Sequence, residues 1–243
     1  MKKLAFILSI SVITIFQISN VKAQTTQLEM TAPSKVVKHL GYNKTIVISE
    51  PGQFTIEGLK IGIRCYDTKW GMNDQNGLTV TFAKDYPQSN KNEFTTKGEF
   101  KLLRYNNNAV FNLDESIKKI DENSFIYEAS LSNTTGVEIN TLALSFNLTD
   151  ALKGTKILFD DKEITMPNDR SIVVDKFASK VKKVVIPLEN GKLMIEALQQ
   201  PTSFLLHDSR KFDAYYDLRF YFSPLNGLIT KSDLKLKISY IPY

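Results

Sequence analysis

Apolar and polar residues alternate along most of this chain with a period of two, the pattern of strands with one buried and one outward face. Leu234, Leu236, Ile238 and Tyr240 alternate with Lys235, Lys237 and Ser239. Ile61, Ile63 and Cys65 do so against Lys60, Gly62, Arg64 and Tyr66, and Leu78, Val80 and Phe82 against Thr79 and Thr81. Between residues 137 and 146 the phase changes: Val137 and Ile139 share one parity, Leu142, Leu144 and Phe146 the other. One extra residue near Thr141, a β-bulge, reconciles the two. Turns are expected at Pro51-Gly52, Asn76-Gly77, Asn106-Asn107-Asn108, Asp160-Asp161 and Asn190-Gly191, whose residues tolerate tight backbone geometry. Only residues 113–121, with Asp114 placed four before Lys118, read as helical over more than one turn. The fold class that follows is all-β, an antiparallel β-sandwich, built as one large super-sandwich or as two stacked β units with a sub-boundary near 147–154.

The first residues depart from this pattern. Lys2 and Lys3 precede an apolar run over 4–18, and Val21-Lys22-Ala23 offers small or aliphatic residues where a signal peptidase reads. Residues 1–23 are therefore expected to be a cleaved signal peptide and 24–243 the β-sandwich domain, secreted or periplasmic, with no transmembrane anchor after cleavage. The residue after Ala23 is Gln24, not Cys, which argues against a lipid anchor there. The one cysteine, Cys65, has no partner for an intramolecular disulfide, and its parity places it in the core as an inert thiol.

Charge changes little in this picture. Losing Lys2, Lys3 and Lys22 with the leader lowers the formal charge from +5 to +2. The remaining charges are interleaved with no basic block, so no nucleic-acid partner is expected. The two histidines, His39 and His207, stand outside any zinc, nucleotide or serine-hydrolase motif, and no cofactor is predicted.

Two segments carry candidate chemistry. Residues 64–74 place the single tryptophan, Trp70, beside Tyr66, Asp67, Asn73 and Asp74 in a loop after a strand. An exposed indole offers a sugar's C–H face an apolar platform, and carboxylates beside it accept hydroxyl hydrogen bonds. The competing reading has Trp70 plugging one end of the core. In residues 202–223, Tyr216, Leu218, Phe220 and Phe222 make one strand face, and Tyr215, Asp217, Arg219 and Tyr221 make the other. That second face suits a glycan. Alternatively, His207 with Arg210 would serve as base and charge neutraliser of a lyase, or Asp217 and Arg219 would pair with neighbouring strands while His207-Asp208 forms a turn.

The stretch Asp208-Ser209-Arg210-Lys211-Phe212, followed by Tyr216-Asp217-Leu218-Arg219-Phe220 and Ser223-Pro224, resembles the ending of non-catalytic β-sandwich modules that accompany secreted glycoside hydrolases of Bacteroidota-type bacteria. The resemblance covers about the last forty residues and implies a carbohydrate-associated sandwich. The candidate ligand-binding residues are Tyr66, Asp67, Trp70, Asp74, Tyr215 and Arg219, with no catalytic or metal-binding residue assigned. Expected partners are a polysaccharide or a glycan-degrading enzyme. The alternatives are a small jelly-roll polysaccharide lyase or glycoside hydrolase, and a structural or adhesive surface protein.

Overall fold

Inward-facing apolar residues at every second position make strands of most of the described residues in the computed structural model, which are 36–40, 44–48, 52–103, 109–169, 175–199, 202–212, 215–222 and 227–243. The expected leader lies outside these, as do Pro51, the 106–108 turn and Ser223-Pro224. Strands β1 (Val36–Leu40), β2 (Lys44–Ile48) and β3 (Phe54–Ile56) lead into β4 (Leu59–Asp67), on which β5 (Met72–Asp74) folds back. The chain continues through β6 (Val80–Phe82), β7 (Gln88–Ser89), β8 (Glu93–Lys101) and β9 (Val110–Lys119) to β10 (Ser124–Leu148), which is 25 residues long. After it come β11 (Lys156–Phe159), β12 (Lys162–Thr165), β13 (Asp175–Val181), β14 (Lys183–Leu188), β15 (Gly191–Ala197), β16 (Thr202–Asp208), β17 (Tyr216–Tyr221) and β18 (Gly227–Pro242).

Strand β10 organises all of this, because its two ends belong to different sheets. From Ser124 to Ser132 it lies between β9 and β18; β18 follows it on to Ile139, where β4 takes up pairing on the other side, and from Ala143 its neighbours are β4 and β17. The change falls where the register with β18 shifts between Ser132 and Val137, and Gly136 supplies the positive φ of 82°. One sheet runs β8, β9, β10, β18, β15, β14, β11, β12; the other runs β1, β2, β3, β4, β10, β17, β16, β13. All of these pairings are antiparallel. The inner faces meet, with Phe54 of β3 packed on Phe125 and Tyr127 of β10 at ring-centroid distances of 5.9 and 5.7 Å. Farther along, Phe159 of β11 stacks on Phe204 of β16 at 4.1 Å. The molecule is an antiparallel β-sandwich, as its alternation predicts.

The bulge expected near Thr141 is present as a register shift between Ile139 and Thr141 against β4. Cys65 is fully buried and free. Two expectations fail. Residues 113–121 form no helix: 113–119 belong to β9, whose Phe111, Leu113, Glu115 and Ile117 all point inward. Leu78 is exposed rather than inward-facing, because it rides on a turn held by Asn76 Oδ1, which accepts from the backbone N–H groups of Leu78 and Thr79. Among the described residues no helix is long and apolar enough to cross a membrane.

Candidate functional site

The outer face of the second sheet departs from the usual wet surface of a sandwich. Alternation sends Gly62, Arg64 and Tyr66 of β4 outward, and register aligns them with Ser145, Ala143 and Thr141 of β10. On the far side of β10, Tyr221, Arg219 and Asp217 of β17 stand opposite Ala143, Ser145 and Asn147. Short side chains at Ala143 and Ser145 leave room for the long ones of β4 and β17 to meet over the central strand.

They meet at Asp217, which is fully buried. Arg64 donates from Nη1 to Asp217 Oδ2 at 2.6 Å, Arg219 donates from Nε to the same oxygen at 2.6 Å, and the Ser145 hydroxyl donates to Oδ1. Arg64 also donates from Nε to Asp74 Oδ1 at 2.6 Å and from Nη2 to the Tyr215 hydroxyl at 3.1 Å. Arg219 donates from Nη2 to the Tyr66 hydroxyl at 2.7 Å, and its guanidinium carbon lies 4.5 Å from the Tyr66 ring centroid. Burial pushes the Asp217 carboxyl up, yet Arg64, Arg219 and the Ser145 hydrogen bond outweigh it and hold the group below the ordinary carboxylate range. Burial likewise opposes the charge on both arginines, and their carboxylate partners overcome it and raise both guanidinium values. For Tyr66 burial wins over the two arginines, so its hydroxyl is raised.

The β4–β5 turn carries Trp70. Asp67, at the inward parity of β4, is buried, and its Oδ1 accepts from the backbone N–H groups of Lys69 at 2.8 Å and Gly71 at 2.7 Å. A Cβ on Gly71 would come within 2.4 Å of Asp67 Oδ2, so only glycine lets the carboxylate sit so close. This fastening holds Trp70 at φ 63° with the residue 62 % exposed and its ring centroid 6.0 Å from that of Tyr66. The indole does not plug the core.

Of the six residues singled out from sequence, Tyr66, Asp74, Tyr215 and Arg219 join one network, Trp70 stands beside it through Tyr66, and Asp67 lies beneath as the fastener of the turn. Sequence reasoning did not select Arg64, Asp217 or Ser145 as site residues. The usable signal was their parity: Arg64 shares the face of Tyr66, and Asp217 that of Arg219.

His207 and Arg210 do not converge. His207 is in register with Asp217, whereas Asp208 is in register with Tyr216 of the inward parity. Arg210 is buried, donating to both Asp208 carboxylate oxygens and to the carbonyls of Pro167 and Asp169. The Asp208-Arg210 and Asp217-Arg219 pairs of the C-terminal stretch are thus both buried ion pairs, the first on the inner side and the second within the outer-face network. Among the described residues no group of three or more His, Cys, Asp or Glu is placed to hold a metal ion.

No protein-family model matches the chain. No curated protein matches it in sequence. Among solved structures it is similar to a mutant heparan sulfate lyase from Pedobacter heparinus, with a TM-score of 0.47 and 11% identity over 88% of this chain and 36% of that one. It is also similar to a Paenibacillus xanthan lyase, with a TM-score of 0.41 and 7% identity over 87% of this chain and 26% of that one. The chain spans about a third and a quarter of the lengths of those two proteins.

Proposed function

We propose that the outer face around Arg64, Asp217 and Arg219, together with the Trp70 turn, is a glycan-binding surface, and that the chain is an exported, carbohydrate-associated β-sandwich protein without chemistry of its own. The carrying observation is Trp70. A side chain able to bury a large apolar area is held out in water by a turn with two carboxylate-to-backbone hydrogen bonds. A rigid exposed indole beside tyrosine and carboxylate groups suits a sugar ring, which covers an apolar face only while its hydroxyls keep hydrogen bonds. The lyase alternative asks for a base poised near neutrality. Tyr66, whose hydroxyl accepts from Arg219, is shifted the opposite way, which argues against Tyr66 as that base.

The test is affinity electrophoresis through gels containing a panel of polysaccharides. Wild-type protein is retarded by at least one of them, and Trp70→Ala is not, while its thermal midpoint stays within a few degrees of wild type. A large loss of stability in Trp70→Ala, of about 3–5 kcal/mol, would show a buried aromatic and overturn the reading.

A further inference from the structure

Beside the Arg64 network lies a polar cleft of about 60 Å³, walled by Gln53, Lys60, Asp74, Asn147 and Tyr215 and floored by Gly62. That volume admits a few waters or the polar end of a larger ligand. Its floor is open because residue 62 is glycine: a Cβ there would come within 2.8 Å of Gln53 Cγ. Gln53 is only 6 % exposed, and its Oε1 is buried with no hydrogen-bond partner among the described residues. A buried amide oxygen without a donor costs about 1–3 kcal/mol, a cost that a ligand hydroxyl or water reached by a small swing of the amide would offset. The cleft and Trp70 lie toward opposite ends of the same strand face. From Gly62 to Tyr66 along β4 is about 13 Å, and Trp70 lies farther on.

Charge narrows the ligand. Arg64 and Arg219 are the strongest cations of the face, and both are committed to Asp217, with Asp74 taking the Arg64 Nε–H. What remains to meet a ligand is mostly of the amide, phenol and carboxylate kind, with two exposed and widely separated lysines, Lys60 at the cleft and Lys69 beside Trp70. Such a lining suits hydroxyl groups and has little to offer a chain of carboxylates or sulfates.

Resting on the glycan reading above, we infer that the ligand is a neutral oligosaccharide longer than one sugar ring, seated on Trp70 at one end and placing hydroxyl groups in the Gln53 cleft at the other. The single tryptophan of the chain makes this measurable, since indole fluorescence reports the platform directly. Neutral gluco-, xylo- and manno-oligosaccharides of one to six units, and uronate oligomers of the same lengths, are titrated into the full chain at low and high salt. One neutral series should perturb the emission, with the longer members binding at least about tenfold more tightly than the monosaccharide and with no loss of affinity at high salt. Asn147→Ala, and independently Gln53→Ala, should weaken the longer members and leave the shortest binding member unchanged.

Tighter binding of the uronates, lost as salt rises, would overturn the neutral class while leaving the glycan reading intact. Equal affinity for one unit and six, or no effect of either cleft variant, would overturn the two-point seating. If no sugar of either series perturbs Trp70 and no polysaccharide retards the protein, this inference and the glycan reading fail together.

Discussion

Asp217 and Glu115 are both carboxyl groups removed from water, and their neighbours set them apart. Asp217 has two guanidinium partners and sits below the usual range; Glu115 has only the Tyr127 hydroxyl and the Gln75 amide, and burial pushes it up to about 8 from 4.5. The lowered group stabilises the fold above its unfolded value near 3.8, and that contribution is lost as pH falls through its lower folded value. The raised group acts in the opposite sense: the folded state holds a proton that the unfolded state has released, so stability falls as pH rises from 4.5 to 8, by about 1.4 kcal/mol per unit. Urea unfolding across this range should show that decline. Glu115→Gln should flatten it, at a cost of about 1–3 kcal/mol because the amide brings two N–H donors where the protonated carboxyl has one O–H, and the extra donor has no acceptor among Tyr127 and Gln75. Asp217→Asn should cost about 3–5 kcal/mol near neutrality by leaving two buried guanidinium groups short of charge, again read from urea midpoints. Residue types and parities were legible in the sequence. Which carboxylate receives which arginine was not, since Arg64 and Asp217 are 153 positions apart.

At the scale of elements, the strand misread as a helix shows how one polar residue hides a pattern. Strand β9 alternates Phe111, Leu113, Glu115 and Ile117 inward, but a glutamate in the third slot breaks the apolar series, and Asp114 with Lys118 then imitates helical spacing. Asp114 in fact pairs with Lys97 of the neighbouring strand, at 2.8 Å. The β4–β5 turn was legible in composition, and the outward throw of Trp70 was not, because it depends on a positive φ at a non-glycine residue. Glycines at two joints should rank in cost. Gly136→Ala places a Cβ against the flexible, exposed Leu228 side chain and adds mainly backbone strain of about 1–2 kcal/mol. Gly52→Ala meets the same kind of strain, with φ at 76°, and drives its Cβ to within 1.7 Å of Gln75 Nε2 and 2.1 Å of Glu115 Oε2. It should therefore cost about 2 kcal/mol more, measured as the difference between the two urea midpoints.

Across the whole molecule, two sheets share one strand, so neither can be unpicked without breaking the middle of the other. Thermal unfolding followed by far-UV and near-UV circular dichroism should give one coincident transition, and two separated transitions would show that the halves of β10 melt independently. The sandwich class was legible from period-two alternation. The sharing of β10 was not, because alternation tells which side of a strand is buried and says nothing of which strands pair with each of its halves. That sharing also sets a clock on biosynthesis. When residue 148 leaves the ribosome, β4 and β9 already exist to occupy one side of β10, but β17 and β18, which close the other, begin only at residues 216 and 227. At about 5–20 residues per second the newborn chain carries that raw edge for several seconds or more, a window in which neighbouring nascent chains compete for it.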